Sequence, residues 1–327
     1  MSDKPLISVI IPSYNSAHFV LQAVQSALEQ TYSPVEVIVV DDGSTDDTRE
    51  RLVPQNGRIR YVYQSNGGPS KARNRGIKEA QGDLIAFLDA DDRWLPEKLQ
   101  KQWKSLQGNP DACLVHTDLY RLYEPSGTIG HKYHDRKRLF SGYCYSEFFW
   151  SNEVILSTVL VTRQCLEKMG GFDEEIRRAS TEDLDLWIRI ARHFPLSYVD
   201  EPLVLYREHL TNASRNHRIL LENEYYVLAK ALQEDPALQQ VLGRDRVWRR
   251  MSELTFGAGY ANVDAGDLRR ARRFFRIALR YAPQKLKTWA FWTSTFLPPV
   301  PRQTLRLVKQ RLVSRHDGVE VSVDRSE

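Results

Sequence analysis

The 327-residue sequence is poor in cysteine and has no long uninterrupted apolar run. Its three cysteines, Cys113, Cys144 and Cys165, are scattered and include no C-x-x-C pair, which argues against a disulfide framework and a thiolate zinc site. No apolar stretch approaches the roughly 20 residues of a membrane-spanning helix. The first residues lack the basic segment and apolar core of a signal peptide, so we expect a cytosolic chain.

Two nucleotide-binding signatures are also missing. The first strand-like run is followed by Pro12-Ser13-Tyr14-Asn15. A dinucleotide-dependent oxidoreductase needs G-x-G-x-x-G at that point, so this class is excluded. A nucleotidyltransferase that makes sugar nucleotides should show a glycine-rich phosphate loop with an arginine there, but it could share the type of sheet predicted below and remains an alternative.

Acidic residues are absent from residues 268–315, which carry 13 basic ones. The net charge of residues 216–327 is +8, whereas that of residues 1–215 is −4. This asymmetry indicates two parts with different partners, and we predict a division into residues 1–215 and a basic helical extension over residues 216–327. Within the extension, apolar residues recur at helical spacing, and they are Ala271, Phe274, Phe275, Ala278, Leu279 and Ala282.

Short apolar runs alternate with helical patterns in the first part. The predicted strands are 6–11, 35–40, 59–63, 84–88, 113–122, 154–161 and 196–206. The predicted helices are 17–28, 46–52, 70–80, 96–106 and 182–193, and residues 127–138 are predicted to form a loop. The alternation predicts an α/β fold whose mostly parallel sheet carries helices on both faces. Ligands of such sheets bind beyond the carboxyl ends of the strands.

Three carboxylates follow the fourth predicted strand, in Asp89-Ala90-Asp91-Asp92. Three acids at one strand end repel each other unless a cation or hydrogen bonds offset their charge. Capping of the next helix would explain one of them but not all three. The triplet therefore predicts a site for Mg²⁺ or Mn²⁺, which take oxygen ligands and often share them with substrate phosphates.

Other polar segments each allow two interpretations. Asp41-Asp42-Gly43-Ser44 could accept hydrogen bonds from a nucleobase or a ribose, or could form a plain turn. Gly67-Gly68, with Arg73 after it, could bring backbone and a cation to a ligand, or could form a simple turn. Glu182-Asp183 could include a general base, but acids in a first helical turn also complement the helix dipole, and spacing alone favours that interpretation.

Taken together, six motifs in this order resemble the inverting, GT-A-fold glycosyltransferases of family 2. They are Ile11-Pro12-Ser13-Tyr14-Asn15, Val40 through Asp46, Asn66-Gly67-Gly68 with Ala72 through Ile77, Phe87 through Asp92, Thr181 through Trp187, and Tyr206-Arg207-Glu208-His209. The resemblance covers about residues 5–215. It implies a GT-A catalytic domain there, followed by the helical extension.

The resemblance also implies the roles of individual residues. Those implied to bind the nucleotide sugar, most readily a UDP-sugar, are Pro12, Tyr14, Asp41, Asp42, Gly68, Arg73 and Asp89. Those implied to hold Mn²⁺ or Mg²⁺ are Asp91, Asp89 and His209. Asp183, with Glu182 beside it, would take the proton from an acceptor hydroxyl in a single displacement with inversion. A non-catalytic GT-A-fold interaction protein would be expected to lose these carboxylates, and it stays open as the second alternative.

The resemblance leads to expectations about the acceptor and the tail. Processive members carry a Gln-x-x-Arg-Trp motif and membrane spans, and both are missing, so we expect transfer of one or a few sugars. The acceptor would be a glycan or a lipid-linked glycan, in the synthesis of cell-surface polysaccharide or glycolipid. The basic tail could be a solvated face, a nucleic-acid binder or a surface for anionic membrane. It shows no nucleic-acid reading module, and its aromatic residues near 288–300 favour peripheral attachment to the inner face of the membrane over mere packing.

Overall fold

The computed structural model describes residues 4–55, 57–133, 140–176, 181–210, 212 and 215–297. The chain divides into two compact units, Met1–Arg250 and Met251–Glu327. This division lies later than the predicted one at residue 215/216, because the first helix of the extension packs against the helix Glu182–Ala191 of the first unit. Whether residues 216–327 also form a separate functional domain stays a prediction.

The strands of the described residues form one mixed sheet. They are β1 (Ile7–Ser13), β2 (Val35–Asp41), β3 (Arg60–Tyr63), β4 (Leu84–Phe87), β5 (Arg93–Trp94), β6 (Leu114–Tyr123), β7 (Thr128–Lys132), β8 (Leu160–Thr162) and β9 (Leu196–Glu208). Their order is β3-β2-β1-β4-β8-β6-β9-β5, and β7 pairs with β6. The first four strands of this order run parallel, and so do β6 and β9, whereas β8 is antiparallel to both of its neighbours. The predicted α/β class with a mostly parallel sheet is confirmed.

Helices connect the strands and continue after the last one. Those of the first unit are α1 (Val20–Leu28), α2 (Thr48–Leu52), α3 (Pro69–Glu79), α4 (Lys98–Gly108), α5 (Arg163–Met169), α6 (Glu182–Ala191), α7 (His217–Glu234) and α8 (Pro236–Leu242). Helix α9 (Arg244–Asp264) passes from the first unit into the second, and α10 (Leu268–Tyr281) and α11 (Leu286–Ser294) follow. Among the described helices, none combines the length and hydropathy that a bilayer crossing requires.

The helices cover both faces of the sheet, as the alternation of side chains along β1 requires. Val9 and Ile11 belong to a core that also contains Ala23 of α1 and Leu99 of α4. Ile10 points to the opposite face, against Gly76 of α3. A Cβ on Gly76 would lie 2.4 Å from Ile10 Cγ2, so α3 reaches its position only because that residue is glycine.

The strand predicted over residues 154–161 is wrong for most of its length. A 3-10 turn, Leu156–Thr158, occupies its centre, and only its last two residues belong to β8. Four backbone carbonyls of this segment accept side-chain donors instead of forming a ladder. Val154 O accepts the indole N–H of Trp187 at 3.0 Å, and Thr158 O accepts the amide of Gln102 at 2.8 Å.

The loop predicted over residues 127–138 is also wrong in part. Gly127 has a φ of +67°, which allows a tight turn and lets β7 return antiparallel along β6. Residues 134–138 of the predicted loop lie outside the described residues. Helix α5 was not predicted; it begins where the Thr162 hydroxyl accepts the backbone N–H of Cys165 and ends at left-handed Gly170.

The second unit confirms the helical spacing predicted for residues 271–282. The Asp267 side chain caps α10 by accepting the backbone N–H of Arg270 at 3.0 Å. Ala271, Phe275 and Ala278 are fully buried along one stripe of this helix. Within this unit, Phe275 packs over Gly259 of α9, where a Cβ would meet its ring at 2.7 Å.

Candidate active site

A cleft of about 980 Å³ opens in the first unit, beyond the carboxyl ends of β1 and β4. All the predicted site residues except Asp41 line it, and they are Pro12, Tyr14, Asp42, Gly68, Arg73, Asp89, Asp91, Glu182, Asp183 and His209. Six separate segments of the chain therefore meet at one place. They do so because the carboxyl ends of adjacent parallel strands share one edge of the sheet.

The acidic loop after β2 is internally hydrogen-bonded. The Asp41 carboxylate is buried, accepting the Tyr61 hydroxyl at 2.6 Å and the Ser44 backbone N–H at 2.9 Å. The Asp42 carboxylate accepts the backbone N–H groups of Gly67 and Gly68 at 2.9 and 2.8 Å. Asp42 therefore shapes the Gly67-Gly68 turn at the start of α3, and Asp41 holds its own loop.

The turn after β1 presents an aromatic ring to the cleft. Asn15 is in the left-handed region, with a φ of +48°, and its side-chain oxygen accepts the backbone N–H of Thr45 at 2.8 Å. The Ser44 hydroxyl in turn accepts the Asn15 backbone N–H at 3.0 Å. These bonds fix the β1 turn to the β2 loop and leave the Tyr14 side chain half exposed in the cleft wall. An exposed ring there can stack on a nucleobase.

The three carboxylates after β4 have three different environments. Asp92 is buried, accepting the Ser157 hydroxyl at 2.6 Å and the Arg207 backbone N–H at 2.9 Å. Burial, with the charges of Asp91 and Asp89, raises its pKa well above the ordinary range. Asp92 therefore orients the loop, whereas Asp89 and Asp91 face the cleft.

Asp91 meets His209 across the cleft. The Asp91 Oδ2 lies 3.0 Å from His209 Nε2, and the imidazole packs against the Phe19 ring with centroids 5.1 Å apart. A carboxylate oxygen and an imidazole nitrogen directed at each other are a suitable pair of ligands for a divalent ion. No group of three or more His, Cys, Asp or Glu residues with metal-binding geometry occurs among the described residues. The donor set fits an ion held by one or two protein ligands and by substrate phosphates.

Arg207 is a site residue that sequence reasoning missed. Its buried guanidinium donates to the Asp91 backbone carbonyl at 2.6 Å and to Gln22 at 2.8 Å, and it also bonds Glu124. The guanidinium also lies over the Phe19 ring, 4.6 Å from its centroid. Arg207 thus holds the loop that carries Asp91. The only sequence signal was its place inside the last quoted motif.

Arg73 connects two acidic segments that are distant in sequence. Its buried guanidinium donates to Asp89 at 2.9 Å and to Glu182 at 2.5 Å. Burial alone would lower the pKa of Arg73, but the charges of Asp89 and Glu182 outweigh it and raise that pKa. Arg73 therefore stays charged and forms a salt bridge with Glu182. The neighbouring acid, Asp183, has no salt bridge among the described residues.

The Asp183 carboxyl group lies in the cleft wall and has a raised pKa. Its Oδ1 accepts the backbone N–H of Leu184 at 2.7 Å and the Asn152 amide at 3.3 Å. Removal from water, followed by the charge of Glu182, raises the pKa of Asp183 to about 7. A carboxylate with that pKa can both accept and release a proton near neutral pH.

Helix α7 contributes a part of the cleft wall that was not predicted. Leu220 and Glu224 line the cleft, and the Glu224 carboxylate is paired with Arg250. Burial raises the pKa of Glu224. The sequence pattern indicated only that these residues are helical, because one turn of an amphipathic helix carries no sign of which cleft it borders.

Known proteins match this chain on both sequence and fold. The family model described as Glycosyl transferase family 2 matches residues 8–156. A relative from Bacillus subtilis, the glycosyltransferase TuaG assigned to teichuronic acid biosynthesis, is 34% identical over 62% of this chain and 79% of its own length. An uncharacterized glycosyltransferase of Rickettsia bellii is 36% identical over 60% of this chain, but the match spans only 28% of that longer protein. The chain belongs to the family 2 glycosyltransferases.

Solved structures of low sequence identity share the fold. Residues 1–349 of Staphylococcus aureus TarS, in complex with UDP-GlcNAc, match with a TM-score of 0.60 and 19% identity over 89% of both chains. The mannosyltransferase PcManGT of Pyrobaculum calidifontis, in complex with GDP-Man and Mn²⁺, matches with a TM-score of 0.58 and 19% identity, covering 90% of this chain and 80% of that one. The fold is therefore GT-A, as the resemblance implied.

Proposed function

We propose that this protein transfers a single sugar from a UDP-sugar to an acceptor hydroxyl, with inversion at the anomeric carbon and with Mn²⁺ or Mg²⁺ bound. The observation that carries the proposal is the shared cleft. It places Asp183, whose pKa lies near 7, in the same cavity as the Asp91–His209 pair. A base for the acceptor and a charged site for the leaving group are the two requirements of this chemistry.

The donor would bind between the β1 turn and the start of α3. Tyr14 offers a ring for the base, with Pro12 beside it, and Gly68 brings backbone close to the phosphates. Arg73, held by Asp89 and Glu182, sits behind this region as a fixed positive charge. Asp41 would act through the loop, because both of its oxygens already accept bonds from the chain. TarS was solved with UDP-GlcNAc, which supports a uridine donor.

Asp91 and His209 would hold the divalent ion, with Asp89 next to them. The Mn²⁺ in the PcManGT complex supports this assignment. When bound, such an ion supplies positive charge that stabilises the leaving diphosphate. Arg207 would keep Asp91 in place through the backbone carbonyl it binds, and Asp92 would do so through Ser157.

Asp183 would remove the proton from the acceptor hydroxyl as that oxygen attacks the anomeric carbon. The C–O bond forms on one face of the sugar while the bond to the diphosphate breaks on the other. The electron pair leaves with the phosphate oxygen, and the proton stays on Asp183. Glu182 is paired with Arg73, so it would raise the basicity of Asp183 and would not itself take the proton.

The acceptor would be a glycan or lipid-linked glycan in the synthesis of a cell-surface polysaccharide or glycolipid. The match to TuaG supports this acceptor class. Leu220 and Glu224 of α7 would contribute to the acceptor side of the cleft.

A donor panel tests the proposal. Purified protein is incubated with UDP-, GDP- and dTDP-sugars, with Mn²⁺ or Mg²⁺ and with EDTA, and free nucleoside diphosphate is measured. We expect metal-dependent release from UDP-sugars. With an acceptor present, proton NMR of the first product formed should show the anomeric configuration opposite to that of the donor.

Four outcomes would contradict the proposal. Release that is equally fast in EDTA would exclude the metal, and a product with retained configuration would exclude the single displacement. If no donor turns over and calorimetry detects no nucleotide binding, a non-catalytic role becomes the better explanation. Release of pyrophosphate from a nucleoside triphosphate and a sugar phosphate would instead favour a nucleotidyltransferase.

A further inference from the structure

The second unit carries a row of arginines that the proposed chemistry does not use. Arg269, Arg273, Arg276 and Arg280 of α10 are all exposed. At 100° per residue they lie within one narrow strip of the helix, opposite the buried stripe that contains Phe275. None of the four forms an ion pair with a described residue, so their charges remain available to a partner.

The same unit carries a row of partly exposed aromatic side chains. Trp289, Trp292 and Phe296 contact each other edge to face, with centroids 5.7 and 5.3 Å apart. Trp289 is 42% exposed and Phe296 is 55% exposed. Large aromatic side chains at such exposure are costly in water unless another surface covers them.

Arg272 joins the two rows. Its guanidinium lies over the Phe296 ring, 4.3 Å from the centroid, and its Nε donates to the Thr295 hydroxyl at 3.2 Å. Arg272 lies one helical turn from Arg269 and Arg276 on α10, so it connects the arginine strip to the aromatic side chains of α11 and of the residues just after it. Since this surface combines fixed positive charge with exposed indole and phenyl rings, it matches the chemistry of an anionic lipid headgroup region.

We propose that this surface, formed by Arg269, Arg273, Arg276, Arg280, Trp289 and Phe296, binds an anionic membrane. The arginines attract the lipid phosphates, and the two aromatic side chains enter the headgroup layer. Nucleic acid would satisfy the arginines but would leave the aromatics without a defined role, because the unit shows no reading module. Membrane attachment of this kind does not depend on the proposed sugar transfer, although it would place the enzyme beside lipid-linked acceptors.

Vesicle co-sedimentation tests the surface on the full chain, without donor or metal. Vesicles of phosphatidylcholine alone are compared with vesicles that also contain phosphatidylglycerol, at low and high salt. One variant replaces the four arginines by glutamine, and another carries Trp289→Ser and Phe296→Ser. The matched control replaces four exposed cations of the first unit by glutamine, and these are Arg51, Arg58, Lys78 and Lys104.

We expect binding only to the anionic vesicles, weakened by salt. The four-arginine variant should lose about tenfold or more in apparent affinity, and the matched control should lose about threefold or less. The variant with Trp289→Ser and Phe296→Ser should lose the part of the vesicle binding that persists at high salt. If the four-arginine variant and the matched control lost the same affinity, net charge alone would explain the binding and the proposal would be overturned. Binding to a single-stranded RNA but not to vesicles would also overturn it, and donor hydrolysis by the same variants reports separately on the cleft.

Discussion

The acidic loops after β2 and β4 look alike in sequence, but their carboxylates are used differently. After β2, Asp41 and Asp42 accept hydrogen bonds from the chain on both of their oxygens. After β4, Asp92 is bonded in the same way, whereas the Asp91 carboxylate has His209 as its hydrogen-bond partner among the described residues. The difference shows that the number of acids in a loop does not decide its role; the supply of donors around each acid does.

Glu182 and Asp183 repeat this contrast over two adjacent residues. The Glu182 carboxylate forms a salt bridge with Arg73, whereas the Asp183 carboxylate has a pKa near 7. Carboxylates that hold a loop together and carboxylates that carry charge into the cleft should respond differently to substitution. The former should affect mainly the stability of the fold, and the latter mainly the reaction.

The largest effect is expected for Asp91→Ala. Its loss should lower kcat/KM by about 10³-fold, because the charge at the leaving diphosphate would be less well stabilised. The melting temperature should change little, since the Asp91 carboxylate has few partners within the chain. Steady-state kinetics and thermal unfolding measure both. The control is Asp47→Ala, because Asp47 is an exposed acid of the β2 loop. If Asp91→Ala lowered kcat/KM by less than tenfold, the contrast between cleft carboxylates and loop-holding carboxylates would fail.

A smaller loss of activity is expected for Asp183→Asn, on the order of 10²-fold in kcat, because the acceptor proton loses its base. The same variant should be more stable than the wild type at about pH 8. The folded-state pKa near 7 lies above the ordinary aspartate pKa of 3.8, so the folded protein holds the proton more tightly than the unfolded chain does. Above about pH 7 the ionised acid therefore destabilises the fold. Urea unfolding at this pH, with exposed Asp111→Asn as the control, would contradict the assignment if Asp183→Asn were the less stable protein.

Asp42→Ala should act on stability. The Gly67 and Gly68 N–H groups would lose their acceptor, at a cost of about 2 kcal/mol in the free energy of unfolding. Donor affinity should fall as well, because the turn before α3 would loosen. Urea unfolding and donor calorimetry on Asp42→Ala and Asp47→Ala measure both quantities. An unchanged unfolding free energy would show that Asp42 is not a structural carboxylate.

The mildest test is the pH dependence of the wild-type enzyme. A base must be deprotonated to act, so kcat should fall as the pH drops below the Asp183 pKa of about 7. The expected slope is about tenfold per pH unit in that range. The acidic limb should disappear from the residual activity of Asp183→Asn. If both proteins show the same limb, another group sets it.

The fold and most of the cleft could be predicted from the sequence, because strand ends follow directly from apolar runs. Asp91 and Asp183 were identified through their motifs, but the division of labour within each acidic pair was not. That division depends on donors such as Ser157, Tyr61 and Arg73, which are far away in sequence. Arg207, with no carboxylate or glycine signature, could be recognised only once its guanidinium was seen against the Asp91 carbonyl.

The contacts of Arg73 also restrict how this protein can diverge. Replacing Arg73, Asp89 or Glu182 alone leaves an opposite charge buried without its partner, so single changes there should be eliminated by selection before they offer a new specificity. Leu220 stands on α7 outside that network and can vary alone, whereas Glu224 on the same helix is paired with Arg250. We expect relatives with different acceptors to differ first at α7, while the centre of the cleft is inherited unchanged.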